Sequence, residues 1–339
     1  MPKILITGAT GFVGSYILET LAGINHPDIE IVAACRNPQR LLPLFKGEIR
    51  VGDLRDTAYL DRLLAGIDIV CHSAGWTSFL NHEREMRKFY LEPTLELINR
   101  VFEWRIKRFV NLSSIAVTGL QAHAIDDAPG TPLRGCPMLN CLIAVENYLK
   151  AQSVNYPTGI INLRLGLYSG KRMSRGLINT LLNPARPGVT PYATGSRGFM
   201  PLVDGRDIGQ AFARAALAPG IENYVSMNIT GPEVPTQKDV INFLRSQQNT
   251  NQYLPLPTTL YRMAIKAMGL SPTIRLGQLS RCQLTMLSSP AVDSETARQL
   301  LGYDPATSWK ASLLDTIMES QKPTDKSNLH DPVKQSDVI

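Results

Sequence analysis

The chain has 339 residues, of which 44% are hydrophobic and 19% are charged, and its formal net charge is +6. This composition excludes a disordered or collagen-like chain, because the apolar fraction is high and glycine shows no period. It also excludes stable membrane insertion, since no run approaches the about 18 apolar residues of a spanning helix, and the lack of a Lys/Arg block argues against a nucleic-acid partner.

The chain opens with a predicted strand over Lys3–Thr7, a glycine-rich turn over residues 8–14 and a helix over Ser15–Ala22. The first, middle and last glycines of this turn permit, in order, a tight bend, close approach of a pyrophosphate and close helix packing. The helix start adds free N–H groups and partial positive charge. These features predict a dinucleotide cradle, and a glycine turn without a ligand is the alternative. The predicted cofactor-binding residues here are Gly8, Thr10, Gly11, Phe12, Val13 and Gly14.

The second predicted strand, Glu30–Cys35, ends at Arg36, with Arg40 four residues further on. An acidic residue at this strand end is typical of NAD binding because it accepts hydrogen bonds from the ribose, whereas arginine suits the 2′-phosphate of NADP. A guanidinium group also binds a phosphate through two hydrogen bonds. The sequence therefore favours NADP over NAD, and two solvated surface arginines are the alternative.

Three further predicted strands alternate with helices. They are a strand from Ile49 that ends in the acidic turn 53–56, a helix over Asp56–Ala65, a strand over Ile67–Ser73, a helix over Glu85–Trp104 and a strand over Arg108–Ser114. This alternation implies right-handed parallel crossovers. The predicted fold class is therefore α/β, with a Rossmann-type doubly wound parallel sheet.

Several short motifs follow one another in a fixed order along the chain. They are Thr7–Gly14, Gly52-Asp53-Leu54, His72-Ser73-Ala74-Gly75, Asn111-Leu112-Ser113-Ser114, Leu163–Tyr168, Pro201–Ile208 and Asp293–Tyr303. With these motifs, the chain resembles the extended short-chain dehydrogenase/reductase superfamily, in its epimerase/dehydratase branch, over residues 3–305.

The resemblance implies an NAD(P)-binding sheet domain and a smaller C-terminal substrate lobe. The nucleotide domain would comprise residues 1–165 with return segments at 200–230, the lobe residues 166–199 and 231–320, and a disordered tail residues 321–339. By the same resemblance, Asp53 and Leu54 would border the adenine, and the Ala74-Gly75 loop would line the nicotinamide. Ser73 and Ser113 complete the predicted cofactor-binding residues.

The chain departs from this family at its proton relay. The family uses a Tyr-x-x-x-Lys pair on the helix after the fifth strand, where the lysine lowers a phenol pKa of about 10 and the spacing puts both groups on one face. Ser114 fits the serine that accompanies this pair. However, Met138 and Leu142 occupy the tyrosine and lysine positions, and no tyrosine in the chain has a lysine four residues on.

Other polar groups are candidates for the missing role. Cys141 lies three residues after Met138 and shares its helix face, although a buried, apolar thiol is the alternative. Tyr168 and Lys171 are candidates from a loop, whereas His72 is interpreted as a structural histidine. The predicted catalytic residues are Ser114, Tyr168 and Cys141.

The second half contains a basic stretch between residues 164 and 206, with Asp204 as its only acidic residue. Its seven basic residues are Arg164, Lys171, Arg172, Arg175, Arg186, Arg197 and Arg206. A cleft lined by positive charges concentrates an anionic ligand, so the pattern predicts a small, anionic or carrier-linked substrate. A solvated basic surface is the alternative. Further helices are predicted over Thr236–Gln247, Leu260–Met268 and Asp293–Leu301, with Gly302 as a C-cap.

The leading functional hypothesis is an NADP-dependent oxidoreductase with an atypical active site, in which water or the substrate supplies the proton. The alternatives are a non-redox cyclase, isomerase or lyase, and a non-catalytic NADP(H) sensor or partner protein. We expect a small-molecule substrate, no metal site, and a monomer or a homodimer. By the resemblance, a dimer would use the helices over Glu85–Trp104 and Met138–Ala151.

The sequence also predicts the compartment. The apolar run at the N-terminus is short and leads directly into glycines, so it lacks the pattern of a secretory signal. The five cysteines include no Cys-x-x-Cys pair. We therefore expect a cytoplasmic protein with reduced thiols.

Overall fold

The computed structural model describes most of the chain. The described residues are 1–24, 29–118, 129–173, 176–182, 189–194, 198–247, 252–271, 279–287 and 292–321. Arg175, Arg186 and Arg197 of the basic stretch lie outside these residues, as do residues 322–339 of the expected disordered tail.

The centre of the molecule is a seven-stranded sheet in which every neighbouring pair is parallel. Its strands are β1 (Lys3–Thr7), β2 (Glu30–Cys35), β3 (Glu48–Val51), β4 (Ile69–His72), β5 (Arg108–Ser114), β6 (Gly159–Leu165) and β10 (Tyr224–Ile229). The spatial order is β10-β6-β5-β4-β1-β2-β3. The first six strands thus have the order of the Rossmann fold, which confirms the predicted fold class.

Helices cover both faces of the sheet. They are α1 (Phe12–Gly23), α2 (Thr57–Leu64), α3 (Glu83–Met86), α4 (Glu92–Glu103), α5 (Pro137–Gln152), α7 (Gly205–Leu217) and α11 (Glu295–Leu301). One core contains α1, α7 and α11 and the other α2, α4 and α5. Ile4 and Ile6 of β1 enter the first core, while Leu5 enters the second, so the strand is apolar throughout. The sequence analysis had assigned α11 to the lobe.

The helix predicted over Glu85–Trp104 is interrupted. A π turn over Arg87–Leu91 separates α3 from α4, and the N–H of Glu92 donates to the carbonyl of Arg87, five residues back. Pro93 explains the interruption, because proline lacks an N–H and its ring clashes with the carbonyl four residues earlier. The continuous helix of the sequence analysis is therefore wrong at this turn.

A smaller lobe follows the sheet. Its elements are β7 (Leu167–Ser169), β8 (Val189–Thr194), β9 (Leu202–Asp204), β11 (Gln252–Pro257), α6 (Leu177–Leu182), α8 (Gln237–Ser246), α9 (Thr258–Ala267), α10 (Arg281–Leu287) and α12 (Trp309–Ser320). The pairs β7–β9 and β8–β11 are parallel, and the lobe has its own apolar core. Gly302 closes α11 in the left-handed conformation, with φ 63°, as its predicted C-cap role requires.

Within the part of the chain that is described, no helix combines the length and apolar character needed to cross a bilayer.

Candidate functional site

The glycine turn joins the end of β1 to the start of α1. Gly8 has φ +69°, and a Cβ there would lie 2.7 Å from the backbone nitrogen of Ala74. A Cβ on Gly14 would lie 2.2 Å from the carbonyl oxygen of Gly8. Both positions therefore require glycine, and the first N–H groups of α1 lie at the carboxyl end of β1, where a pyrophosphate fits. The structure thus has the cradle that a dinucleotide needs.

The remaining residues of the turn differ in exposure. Gly11 caps α1 in an extended conformation, and its N–H donates to the carbonyl of Gly8 at 2.9 Å. Thr10 is half-buried, whereas Phe12 and Val13 are buried. The Val13 side chain is therefore enclosed in the core, while the Phe12 side chain lines the adjoining cavity.

Hydrogen bonds fix the loop after β4 to β1. The Ser73 hydroxyl donates to the carbonyl of Thr7 at 2.8 Å, and the Ala74 N–H donates to the Thr7 hydroxyl at 3.3 Å. His72 contacts the hydroxyls of Thr7 at 2.8 Å and Thr94 at 3.3 Å through its two ring nitrogens. Burial lowers the pKa of this histidine to about 4. His72 is therefore a neutral structural residue, in agreement with its interpretation from the sequence.

The residues predicted to bind the adenosine half lie beyond β2 and β3. Arg36 and Arg40 are exposed, the latter in a 3₁₀ turn over Pro38–Arg40. The carboxylate of Asp53 accepts two hydrogen bonds from the Arg55 guanidinium at 2.9 and 2.6 Å, which lowers the pKa of Asp53. Leu54 packs half-buried against the second core. The only acidic side chain of this region predicted to contact the cofactor is thus already paired with an arginine.

A cavity of about 200 Å³ lies between the carboxyl edge of the sheet and the lobe. The strand order of the sheet reverses between β1 and β4. Open α/β sheets bind their ligands at the carboxyl edge beside such a switch point. Most of the cavity lining is apolar. The apolar side chains include Phe12, Phe79, Met86, Leu112, Met138, Leu142, Leu167, Met173, Leu177, Ile178 and Met286.

The two residues aligned with the family's tyrosine and lysine in the sequence analysis are part of this lining. Met138 and Leu142 of α5 both face the cavity, with 8% and 6% of their surfaces exposed. They lie one helical turn apart on one face. Tyr148 and Lys150 lie further along α5 and do not line the cavity, and the Tyr148 hydroxyl donates to the side chain of Asn99. The structure therefore places a thioether and an isobutyl group in the cavity lining at the two positions that the sequence analysis aligned with the family's tyrosine and lysine.

The structure brings two of the three predicted catalytic residues to this cavity. Ser114 lines it at the end of β5, and its hydroxyl accepts from the N–H of Ala116 at 3.2 Å. Tyr168 also lines it, with its ring stacked on Phe12 at 6.2 Å between centroids, and burial raises its pKa. Cys141 does not line the cavity; it packs in the second core, where burial raises its thiol pKa to about 11.

Two sequence-based expectations, one on a strand and one on the basic stretch, change with the structure. Ser113 is fully buried and its hydroxyl donates to Glu146 of α5, away from the cavity, so it is not available to a cofactor. Arg164 is also fully buried, and its guanidinium contacts the same carboxylate at 2.7 Å. The sheet face under α5 therefore contains an internal ion pair.

The remaining described basic residues do not form a cleft of one sign. Arg206 pairs with Asp204 at 2.7 Å and with Asp315 at 2.8 Å. Arg172 lines the cavity, but it pairs with Glu19 at 2.6 Å. The exposed Lys171 does not line the cavity. Three of the four described cations of the stretch therefore have carboxylate partners, so their positive charge is largely compensated within the protein.

Three polar residues of the cavity were missed by the sequence analysis. Trp76 and Thr77 come from the loop after β4, and Tyr90 comes from the π turn. The sequence contained no signal for Tyr90, because its direction depends on the interruption of the helix. Among the described residues, no group of three or more His, Cys, Asp or Glu side chains is arranged to hold a metal ion.

The strand order, the glycine cradle and the cavity at the switch point define a Rossmann-type dinucleotide-binding protein. The model of the NAD dependent epimerase/dehydratase family matches residues 4–229, more than half of the sequence, and the chain belongs to that family. This confirms the resemblance to the extended short-chain dehydrogenases/reductases. Membership supports an enzyme of the epimerase or oxidoreductase kind with a nicotinamide dinucleotide as the cofactor.

Individual relatives are distant. The chain is 26% identical to an isoflavone reductase homologue from Nicotiana glauca over 47% of this chain and 48% of that protein. It is 32% identical to a UDP-glucose 4-epimerase from Neisseria meningitidis over 35% of this chain and 38% of that protein. The chain thus spans less than half the length of these curated relatives.

Solved structures share the fold over nearly the whole chain. A UDP-glucuronic acid 4-epimerase from Bacillus cereus, in complex with UDP-glucuronic acid and NAD, superposes with a TM-score of 0.70 and 18% identity. The superposition covers 94% of this chain and 98% of that chain.

Proposed function

We propose that this protein is an NADP-dependent oxidoreductase that reduces a carbonyl group on a small, largely apolar substrate. The observation that carries the proposal is the pair Met138 and Leu142 in the cavity lining, at the positions of the family's proton relay. The turn over residues 8–14 and the loop over residues 73–75 would hold the dinucleotide. When bound, the reduced cofactor supplies a hydride.

The direction of the reaction follows from the titratable side chains of the described cavity lining. Oxidation of an alcohol, the first half of an epimerisation through a ketone, requires a group that removes the hydroxyl proton. Among the described residues, the titratable side chains of the lining are His72, Tyr90, Tyr168 and Arg172. His72 is already bonded through both nitrogens, and burial raises the pKa of both tyrosines. The phenols therefore remain protonated at neutral pH, where they donate hydrogen bonds and do not act as bases.

Reduction fits these groups better. The carbonyl carbon receives the hydride and the carbonyl oxygen receives a proton that is ultimately drawn from water, so the products are an alcohol and the oxidised cofactor. A protonated hydroxyl in a water-poor cavity stabilises the negative charge that develops on the oxygen. Neither step requires a lysine beside the phenol.

The preference for NADP rests on the residues after β2. No carboxylate follows this strand directly, and Asp53, beyond β3, is bonded to Arg55. Arg36 and Arg40 are exposed at the place where a 2′-phosphate would lie. This arrangement supports a phosphate more than a free ribose hydroxyl.

The apolar lining supports an apolar substrate. The UDP-glucuronic acid bound by the similar epimerase from Bacillus cereus is polar along its whole length, whereas the lining here contains four methionines, Met86, Met138, Met173 and Met286. An anionic group at Arg172 would have to compete with the carboxylate of Glu19.

The test is cofactor turnover with purified protein. We expect that NADPH is consumed with aromatic or aliphatic ketones or aldehydes, and that NADH is consumed more slowly. Interconversion of UDP-glucose and UDP-galactose would contradict the proposal. Product formation without net cofactor oxidation would favour the non-redox alternative, and NADP binding without turnover on any substrate class would favour a binding protein.

A further inference from the structure

Three residues of the cavity lining each have a buried polar atom without a hydrogen-bond partner among the described residues. These atoms are the indole Nε1 of Trp76, the hydroxyl of Thr77 and the hydroxyl of Tyr90. Trp76 and Tyr90 are more than nine-tenths buried, with 8% and 6% of their surfaces exposed. Buried polar groups are rarely left unpaired, because they lose their hydrogen bonds to water. Three of them in one cavity indicate a ligand that carries a hydrogen-bond acceptor.

Tyr90 reaches this cavity from the π turn. The turn packs against α5, the helix that carries Met138 and Leu142. The Tyr90 phenol lies near the side chains of Tyr168 and Cys141. Tyr90 therefore lies beside the part of the cavity lining that Met138 and Leu142 of α5 form, where neither side chain can donate a hydrogen bond.

The π turn itself is consistent with a role in binding. A π turn inserts one extra residue into a helix, which turns the flanking segments by about 100° relative to each other. Such insertions are rare and frequently occur at functional sites. Here the insertion coincides with a tyrosine whose hydroxyl has no structural partner in the described chain.

We propose that Tyr90, together with Thr77 and Trp76, forms the subsite that binds the carbonyl oxygen of the substrate. A carbonyl oxygen has two lone pairs and accepts hydrogen bonds from such donors. The neighbouring helix thereby supplies the donor that α5 lacks. That this oxygen belongs to the carbonyl group that is reduced rests on the proposed function. That the subsite binds a carbonyl oxygen at all does not depend on the reaction.

The subsite is tested by binding of two probes that differ mainly in one oxygen. Acetophenone and ethylbenzene have the same ring and similar size, but acetophenone alone carries a carbonyl. Affinities are measured by calorimetry with the NADP⁺-saturated protein. We expect the wild-type protein to prefer acetophenone by about tenfold or more, the effect of one well-made hydrogen bond.

Tyr90→Phe removes the phenol oxygen without breaking any hydrogen bond of the fold. We therefore expect an unchanged or higher melting temperature and a preference for acetophenone that falls to about threefold or less. Tyr148→Phe is the matched control, because its hydroxyl bonds to Asn99 outside the cavity. It should keep the wild-type preference. The isosteric Thr77→Val should also lower the preference, and an unchanged value would remove Thr77 from the subsite.

The outcomes separate the two proposals. A Tyr90→Phe variant that keeps the wild-type preference, or a wild-type protein with no preference, overturns the subsite. A wild-type preference that Tyr90→Phe abolishes, combined with no NADPH oxidation on any carbonyl compound, supports the subsite and overturns the reductase. If carbonyl reduction is observed, Tyr90→Phe should lower kcat/KM for the carbonyl compound and leave the KM for NADPH unchanged.

Discussion

The buried ion pair between α5 and β6 gives the largest stability effect that we expect from a single substitution. The carboxylate of Glu146 contacts the guanidinium of Arg164 at 2.7, 3.2 and 3.2 Å, and neither side chain is exposed. Glu146→Leu leaves the arginine charge buried without a counter-charge and removes the acceptor of the Ser113 hydroxyl. Loss of one partner of such a pair costs about 3–5 kcal/mol. This is a large share of the about 5–15 kcal/mol by which a protein is typically stable.

The assay is urea unfolding followed by circular dichroism, with the double variant Glu146→Leu/Arg164→Met as the matched comparison. The double variant removes both charges, so it should be clearly more stable than the single variant. The exposed pair of Arg100 and Glu103 provides the surface control, because solvent screens such a pair and its loss in Glu103→Gln should leave the free energy of unfolding nearly unchanged. A single variant within about 1 kcal/mol of the wild type, or a double variant no more stable than the single one, would refute the reasoning.

Three further predictions concern the cofactor and pH. Gly14→Ala should weaken NADP⁺ binding by about tenfold or more in calorimetry, because its methyl group would lie 2.2 Å from the carbonyl oxygen of Gly8. Gly23→Ala is the control, since its methyl group would have nothing within 4 Å, and it should leave the affinity unchanged. Equal affinities of the two variants for NADP⁺ would contradict the proposed binding of the dinucleotide at the glycine turn. Arg36→Asp should shift the preference from NADPH towards NADH in steady-state kinetics, and an unchanged ratio would remove Arg36 from the argument. Burial lowers the pKa of His72 from 6.5 to about 4, so the folded state favours the neutral imidazole. This contribution to the free energy of unfolding is fully present above pH 6.5 and should be lost as the pH falls towards 4, by up to about 3 kcal/mol. His72→Gln should flatten this dependence in unfolding curves measured across the window, and a wild-type protein with no slope there would contradict it.

Local patterns were sufficient for much of the sheet. β1, β2 and β5 begin and end where the sequence predicts, because each is a short apolar run that lies between polar or glycine-containing turns. The glycine turn was equally readable, since Gly8 and Gly14 stand at positions where any side chain would collide with the backbone. Met138 and Leu142 were aligned from flanking residues alone, and both line the cavity.

The features that depend on distant contacts could not be predicted. Arg164 belongs by sequence to a basic stretch, but its strand is buried on both faces, so its charge is paired internally with Glu146. Tyr90 follows an apolar helical pattern, and only the π turn before Pro93 directs its phenol to the cavity. The lobe contributes Met286 to the same cavity, although Met286 lies nearly two hundred residues after Tyr90 in the sequence.

The most direct test of the account is a crystal structure of the protein with NADP⁺ and a carbonyl ligand. The account predicts the pyrophosphate over the turn at residues 8–14, with Met138 and Leu142 facing the nicotinamide cavity. It also predicts the hydroxyl of Tyr90 within hydrogen-bond distance of the ligand oxygen. A nucleotide bound elsewhere, or a tyrosine and a lysine side chain meeting beside the nicotinamide ring, would contradict it.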